Sequence, residues 1–214
     1  MTTNTDLPYL NAEEQRVLGA MLEKARTTPE NYPITINSLV AACNQKTSRN
    51  PVVNYDENTV ILVLDALKKK GLASTSTGGS SRVTKYKHNF AIVYPLVPAD
   101  LAVICLLLLR GPLTPGEINN LSGRLYNFVS IDEVQDVLNG LSTGERPFVF
   151  LIPRKPGQKE VRYAHLLGGD VQIEDAYSGQ VPSPLSTTLE ERLKAIEDEL
   201  AELRKGFDQL KELL

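Results

Sequence analysis

The sequence predicts an α+β chain, mostly helical, in which one helix–helix–helix–hairpin unit is used twice before a C-terminal heptad helix. Three observations predict it. Apolar residues recur at helical spacing in both halves, a short strand pair follows the third helix of each half, and residues 189–214 carry an unbroken alternation of four- and three-residue steps.

The first helix starts at Asn11, a favoured N-cap, with Glu14 three residues on as in a capping box. Val17, Leu18, Met21 and Leu22 give it one apolar face, and Pro29 and Pro33 bracket the turn after it. A second helix is expected over 36–42, with Leu39, Val40 and Cys43 inward. Residues 44–54 are polar and read as a loop. A third helix is expected over 56–70: Val60, Val63, Leu64 and Leu67 share a face, and Gly71 is placed to end it. Strands over 72–76 and 82–87 follow, turned at Gly78-Gly79.

The order then recurs. A helix is expected over 101–109. Thr114-Pro115-Gly116-Glu117 opens the next helix with a cap, a proline in the first turn and a reciprocal glutamate. Ser130 and Glu133 form a similar signal before Val134, Val137, Leu138 and Leu141. Strands over 148–152 and 161–166 are turned at Pro156-Gly157. At an offset of 86, Val17, Leu18, Leu22 and Thr28-Pro29 meet Val103, Ile104, Leu108 and Thr114-Pro115. At an offset of 74, the apolar face of the third helix meets that of its counterpart. Three helices and a hairpin in this order are a winged helix-turn-helix, so two such domains in tandem are expected, over residues 1–95 and 96–170.

Residues 171–186 contain Gly179, Pro182 and Pro184 and read as a linker. Residues 187–214 then form a coiled-coil helix. Leu193, Leu200, Phe207 and Leu214 occupy a positions; Leu189, Ile196, Leu203 and Leu210 occupy d positions. A lone helix of this kind is marginal in water, so the seam needs a partner, either a second copy or the chain's own domains. A parallel pairing sets Arg192 against Glu197 and Glu199 against Arg204 of the second copy. An antiparallel pairing also matches charges, so a homodimer of open orientation is expected.

Composition sets outer bounds. The chain has 214 residues, 42% hydrophobic and 23% charged, which suits a folded soluble protein and not a disordered one. No apolar run approaches a membrane span, and the N-terminus lacks a signal-peptide pattern, so a cytoplasmic protein without membrane contact is expected. Cys43 and Cys105 sit in apolar helical contexts and read as core residues. His88 and His165 each end a strand, with no metal-ligand spacing near them. No P-loop, GxSxG or GxGxxG pattern occurs, so no catalytic, cofactor or metal residue is assigned and a non-enzymatic protein is expected.

The net charge of −3 divides unevenly. Residues 1–95 hold 11 Lys/Arg and 8 Asp/Glu, residues 96–170 hold 7 and 8, and residues 171–214 hold 5 and 10. The outward positions of the third helices, Glu57, Asn58, Leu62, Asp65 and Lys69, then Asp132, Glu133, Gln135, Asp136 and Asn139, are neutral to acidic. Such faces are repelled by phosphate and argue against groove reading. The cations lie elsewhere: Arg82, Lys85 and Lys87 on the first hairpin, Arg154, Lys155, Lys159 and Arg162 on the second, and Lys46 and Arg49 in the loop before the third helix. These nine are the candidate contacts to DNA phosphates, which would position the protein with little sequence preference.

Several strings carry a resemblance. Met21-Leu22-Glu23-Lys24, Thr27-Thr28-Pro29-Glu30-Asn31-Tyr32-Pro33, Ala42-Cys43-Asn44-Gln45-Lys46-Thr47 and Ser81-Arg82-Val83-Thr84-Lys85-Tyr86 occur in the first half. Leu107-Leu108-Leu109-Arg110-Gly111, Thr114-Pro115-Gly116-Glu117 and Arg162-Tyr163-Ala164-His165-Leu166 occur in the second. Together they are similar to the YceH-like family of bacterial proteins, over essentially the whole chain. The resemblance implies tandem winged helices in a bacterial cytoplasm and transfers no catalytic or cofactor residue. The expected function is therefore a DNA-associated dimer using basic wings, or alternatively a protein–protein interaction scaffold using the third-helix faces and the coiled coil.

Overall fold

A computed structural model describes residues 7–76, 83–143, 146–154 and 160–169. The fold is mixed α+β and mostly helical, with seven α-helices and two small antiparallel sheets among the described residues. The coiled-coil helix expected over 187–214, with all eight of its seam residues, lies outside the described residues.

Helix α1 (Ala12–Thr27) begins with the expected reciprocal cap: Asn11 Oδ1 accepts the Glu14 N–H at 2.8 Å, and the Glu14 carboxylate accepts the Asn11 N–H at 2.9 Å. A 3-10 turn (Pro29–Asn31) leads into β1 (Ile34–Thr35) and α2 (Ile36–Cys43). Helix α3 (Glu57–Lys69) is capped by Asp56, which accepts the Thr59 N–H at 2.7 Å. Gly71 follows with φ +74°, a left-handed conformation that a side chain disfavours. Strands β2 (Ala73–Ser76) and β3 (Lys85–His88) complete a sheet of order β1-β3-β2. Strand β1 is not predicted by the sequence, because two residues are too few to display alternation.

After the short α4 (Phe90–Val93) comes α5 (Pro98–Arg110), which starts three residues before the expected boundary because the Asp100 carboxylate accepts the Val97 N–H at 3.1 Å. Then follow α6 (Pro115–Leu121), α7 (Ile131–Ser142), β4 (Val149–Ile152) and β5 (Arg162–His165). The Ser130 cap of α7 forms, but the Glu133 carboxylate accepts the Val129 N–H and the Tyr126 hydroxyl instead of closing back on Ser130. Leu113 and Tyr163 exchange backbone hydrogen bonds of 3.1 and 2.8 Å. This bridge repeats in miniature the pairing of β1 with β3, so the two halves match down to the third strand.

The structure corrects the register of the repeat in one place. Helices α1 and α5 begin 86 residues apart and α3 and α7 begin 74 apart, as expected, but α2 and α6 begin 79 apart. Thr114, the cap of α6, therefore corresponds to Thr35, the cap of α2, and not to Thr28. Thr28-Pro29 opens the 3-10 turn instead, since a proline preset near −65° serves either start.

The two repeats share one continuous core. Helix α1 is buried well beyond its predicted stripe, at Gly19 and Ala20 as well as Val17, Leu18, Met21 and Leu22. The cause is that it packs on α2 and α3 on one side and on α5 on the other. Helix α5 is buried at every position from Ala102 to Leu109, as a helix enclosed on all sides must be. The helices approach closely at Gly19: a Cβ there would stand 2.9 Å from Leu109 Cδ2 and 3.2 Å from Leu108 Cβ. Polar ties also cross the seam. Asn50 donates its backbone N–H to Leu109 O at 2.8 Å, Arg26 Nε donates to Leu125 O at 2.9 Å, and the Leu10 N–H donates to Leu167 O at 2.6 Å.

Candidate nucleic-acid interface

The nine cations picked from the sequence meet different fates. Lys46 is exposed in the loop after α2. Lys85 and Lys87 lie on β3, half-buried and exposed respectively, opposite Ser76 and Ser74. Arg154 is exposed just after β4. Arg82, Lys155 and Lys159 lie outside the described residues.

Arg49 and Arg162 are placed against the expectation. The Arg49 guanidinium is buried and grips Glu23 with two prongs, Nη2 to Oε2 at 2.6 Å and Nη1 to Oε1 at 3.1 Å, while Nε and Nη2 donate to Ala42 O. Arg162 donates to both oxygens of Glu117 at 3.0 and 3.1 Å and to Pro112 O at 2.8 Å. Both cations already face a carboxylate, so neither is placed to face a phosphate. The sequence hides this because the partners lie 26 and 45 residues away.

The sequence also misses a cationic cleft. A concavity of about 310 Å³ opens between α1, the loop after α2, the C-terminal turn of α5 and the segment after α6. Lys24, Lys46, Arg110 and Arg124 line it, together with the hydroxyl-bearing Thr27, Thr47 and Ser48. Its carboxylate, Glu23, is the one gripped by Arg49, with Lys24 Nζ 3.8 Å away. Burial first, and then the like charge of Arg49, pull the Arg110 guanidinium below its ordinary pKa. An anion in the cleft would relieve that repulsion. Arginine forks and lysine point charges around hydroxyl donors are the groups that suit phosphate oxygens.

The third-helix faces combine exposed apolar residues with acids. On α3, Leu62 stands 70% exposed beside Glu57, Asn58, Ile61 and Asp65, and Asp65 pairs with Lys68 at 2.7 Å. Before and at the start of α7, Val129 is 91% and Ile131 53% exposed, next to Asp132. Gln135 is tied inward, donating to the Tyr163 hydroxyl at 2.6 Å.

Of the remaining titratable candidates, Cys43 and Cys105 are buried and His88 and His165 half-buried. His88 and His165 occupy matching ends of β3 and β5; burial pushes each down to about 4, and the Nδ1 of each is buried without a hydrogen-bond partner among the described residues. Burial pushes the Cys43 thiol up to about 12 and the Cys105 thiol upward as well, the opposite of an activated nucleophile. Among the described residues no group of three or more His, Cys, Asp or Glu is placed to hold a metal. No described helix is long and apolar enough to cross a membrane.

Fold and site together define a mostly helical protein of two fused helix–hairpin repeats with a cationic cleft at their junction. The chain belongs to the family described as "Protein of unknown function, DUF480", which matches residues 10–158. It is 47% identical to a UPF0502 protein of Opitutus terrae over 86% of this chain and 80% of that one. It is 45% identical to a UPF0502 protein of Shewanella pealeana over 94% of this chain and 98% of the relative. It is also 43% identical to the UPF0502 protein YceH of Escherichia fergusonii, over 94% and 95%.

Proposed function

We propose that this chain is a non-enzymatic, cytoplasmic tandem winged-helix protein that associates with DNA through the phosphate backbone, as a dimer joined by the heptad seam of residues 187–214. One observation carries the reading: Lys24, Lys46, Arg110 and Arg124 converge on one concave surface whose carboxylate is already engaged by Arg49. Lys85, Lys87 and Arg154 are further described cations on or beside the hairpin strands, and Arg82, Lys155 and Lys159 join them as candidates on sequence alone. Without Arg49 and Arg162, the contact set moves from the hairpins toward the junction between the repeats. Binding of this kind is salt-sensitive and nearly blind to sequence.

The test is fluorescence anisotropy at low salt with two duplexes of unrelated sequence. Equal affinities are expected, weakened for both by Lys46→Gln and Arg124→Gln and unchanged by Leu62→Ser. Strong preference for one duplex, or loss of binding through Leu62→Ser with none through the cleft variants, contradicts the reading.

A second reading, a protein-interaction scaffold, is favoured by the third helices. Exposed Leu62 and Val129 with flanking acids suit a cationic amphipathic protein segment better than a groove. It predicts a specific protein partner lost with Leu62→Asp and retained with the cleft variants.

A further inference from the structure

A second, smaller cavity lies between the repeats, and phosphate binding does not use it. It measures about 130 Å³ and is lined by Leu22 on α1, Leu101 and Ala102 on α5, and Leu125 after α6. Two polar side chains join this apolar wall, Arg26 and His88. The Arg26 guanidinium is exposed and engages Leu125 O through Nε alone, and its two terminal nitrogens have no acceptor among the described residues. The Nδ1 of His88 is buried and lacks a hydrogen-bond partner there. An apolar recess with a few convergent polar groups is the usual make-up of a small-molecule site.

Size and chemistry narrow the ligand. An apolar cavity of about 150 Å³ holds a benzene-sized molecule, so this one takes a single ring or a short branched chain. Among the described residues that line it, the full charge is the Arg26 guanidinium, which suits a carboxylate in two-pronged geometry. We propose that this cavity binds a small organic monocarboxylate, with its charge on Arg26, its apolar body against Leu22, Leu101, Ala102 and Leu125, and its edge beside His88. Leu125 lines both this cavity and the cationic cleft, so a bound acid would sit one residue from the phosphate-binding surface. The site itself does not depend on DNA binding.

The test is calorimetric and NMR titration of the full chain with benzoate and isovalerate, with benzyl alcohol as the uncharged ring and acetate as the charge without a body. Benzoate or isovalerate is expected to bind at about millimolar or tighter. Arg26→Gln should weaken the acid about tenfold or more and leave benzyl alcohol unchanged, with thermal melting checking that loss of the tie to Leu125 O leaves the repeats folded. Ala102→Leu should block both, with its folding checked by thermal melting. Three results would overturn the proposal: no shift with either acid at ten times those concentrations, acetate binding as well as benzoate, or benzoate binding untouched by Arg26→Gln.

Discussion

Arg49 and Glu23 form a two-pronged ion pair that clamps the loop after α2 to α1, with Nη2–Oε2 at 2.6 Å and the arginine side chain fully enclosed. The same guanidinium holds the Ala42 carbonyl near the end of α2, so one side chain ties α2 and the loop after it to α1. Its position also leaves the cleft strongly cationic, because Glu23 is neutralised from behind.

Removing one partner of a buried pair exposes the other to an uncompensated burial cost. Arg49→Ala is expected to destabilise by about 3–5 kcal/mol. Chemical denaturation measures it. A change below about 1 kcal/mol would show that the pair is not the clamp described.

The close approach of α1 to α5 makes the repeats one cooperative unit. Gly19→Leu would drive a side chain into Leu108 and Leu109, at a cost of about 1–3 kcal/mol or more. Thermal melting should remain a single transition at lower temperature. Two separated transitions would mean that the repeats fold independently.

The legible part of this fold is its local part. Asn11, Thr114, Asp56 and Ser130 announce their helices because a cap and its first turn lie within three residues. The buried stripes of α1, α3 and α7 are equally readable from spacing. What the sequence could not display were pairs made by folding: Glu23 with Arg49, Glu117 with Arg162, Gln135 with Tyr163. The cleft was hidden for the same reason. Lys24, Lys46, Arg110 and Arg124 come from four separate segments, and each alone reads as an ordinary surface charge.

His88 and His165 give the protein an acid limit. Burial holds each near pKa 4 when folded, below its ordinary 6.5. The unfolded chain therefore binds more protons between those values. The neutral histidines are compatible with full stability above about pH 6.5, and stability falls as pH drops from there toward 4. A loss of ~1–2 kcal/mol per histidine by pH 5 is expected, read by denaturation at pH 7 and 5. His88→Gln should flatten the dependence; an unchanged slope would contradict the assignment.

The heptad seam is tested by mass. Leu200→Asp with Leu203→Asp places carboxylates at one a and one d position of the heptad pattern and should convert the proposed dimer to a monomer in light scattering, with the melting of the repeats retained. A wild-type monomer, or an unchanged dimer mass in the variant, would move assembly elsewhere.

Phosphate binding in the cleft is tested by the salt dependence of duplex binding, compared between the wild-type chain and Lys46→Gln/Arg124→Gln. Each phosphate contact contributes a slope of about 0.9 in log K against log salt. The wild type should weaken linearly, with a slope shallower by about 1.5–2 in the double variant. Equal slopes for the two proteins, or no wild-type binding at low salt, would contradict a phosphate-binding cleft between the repeats.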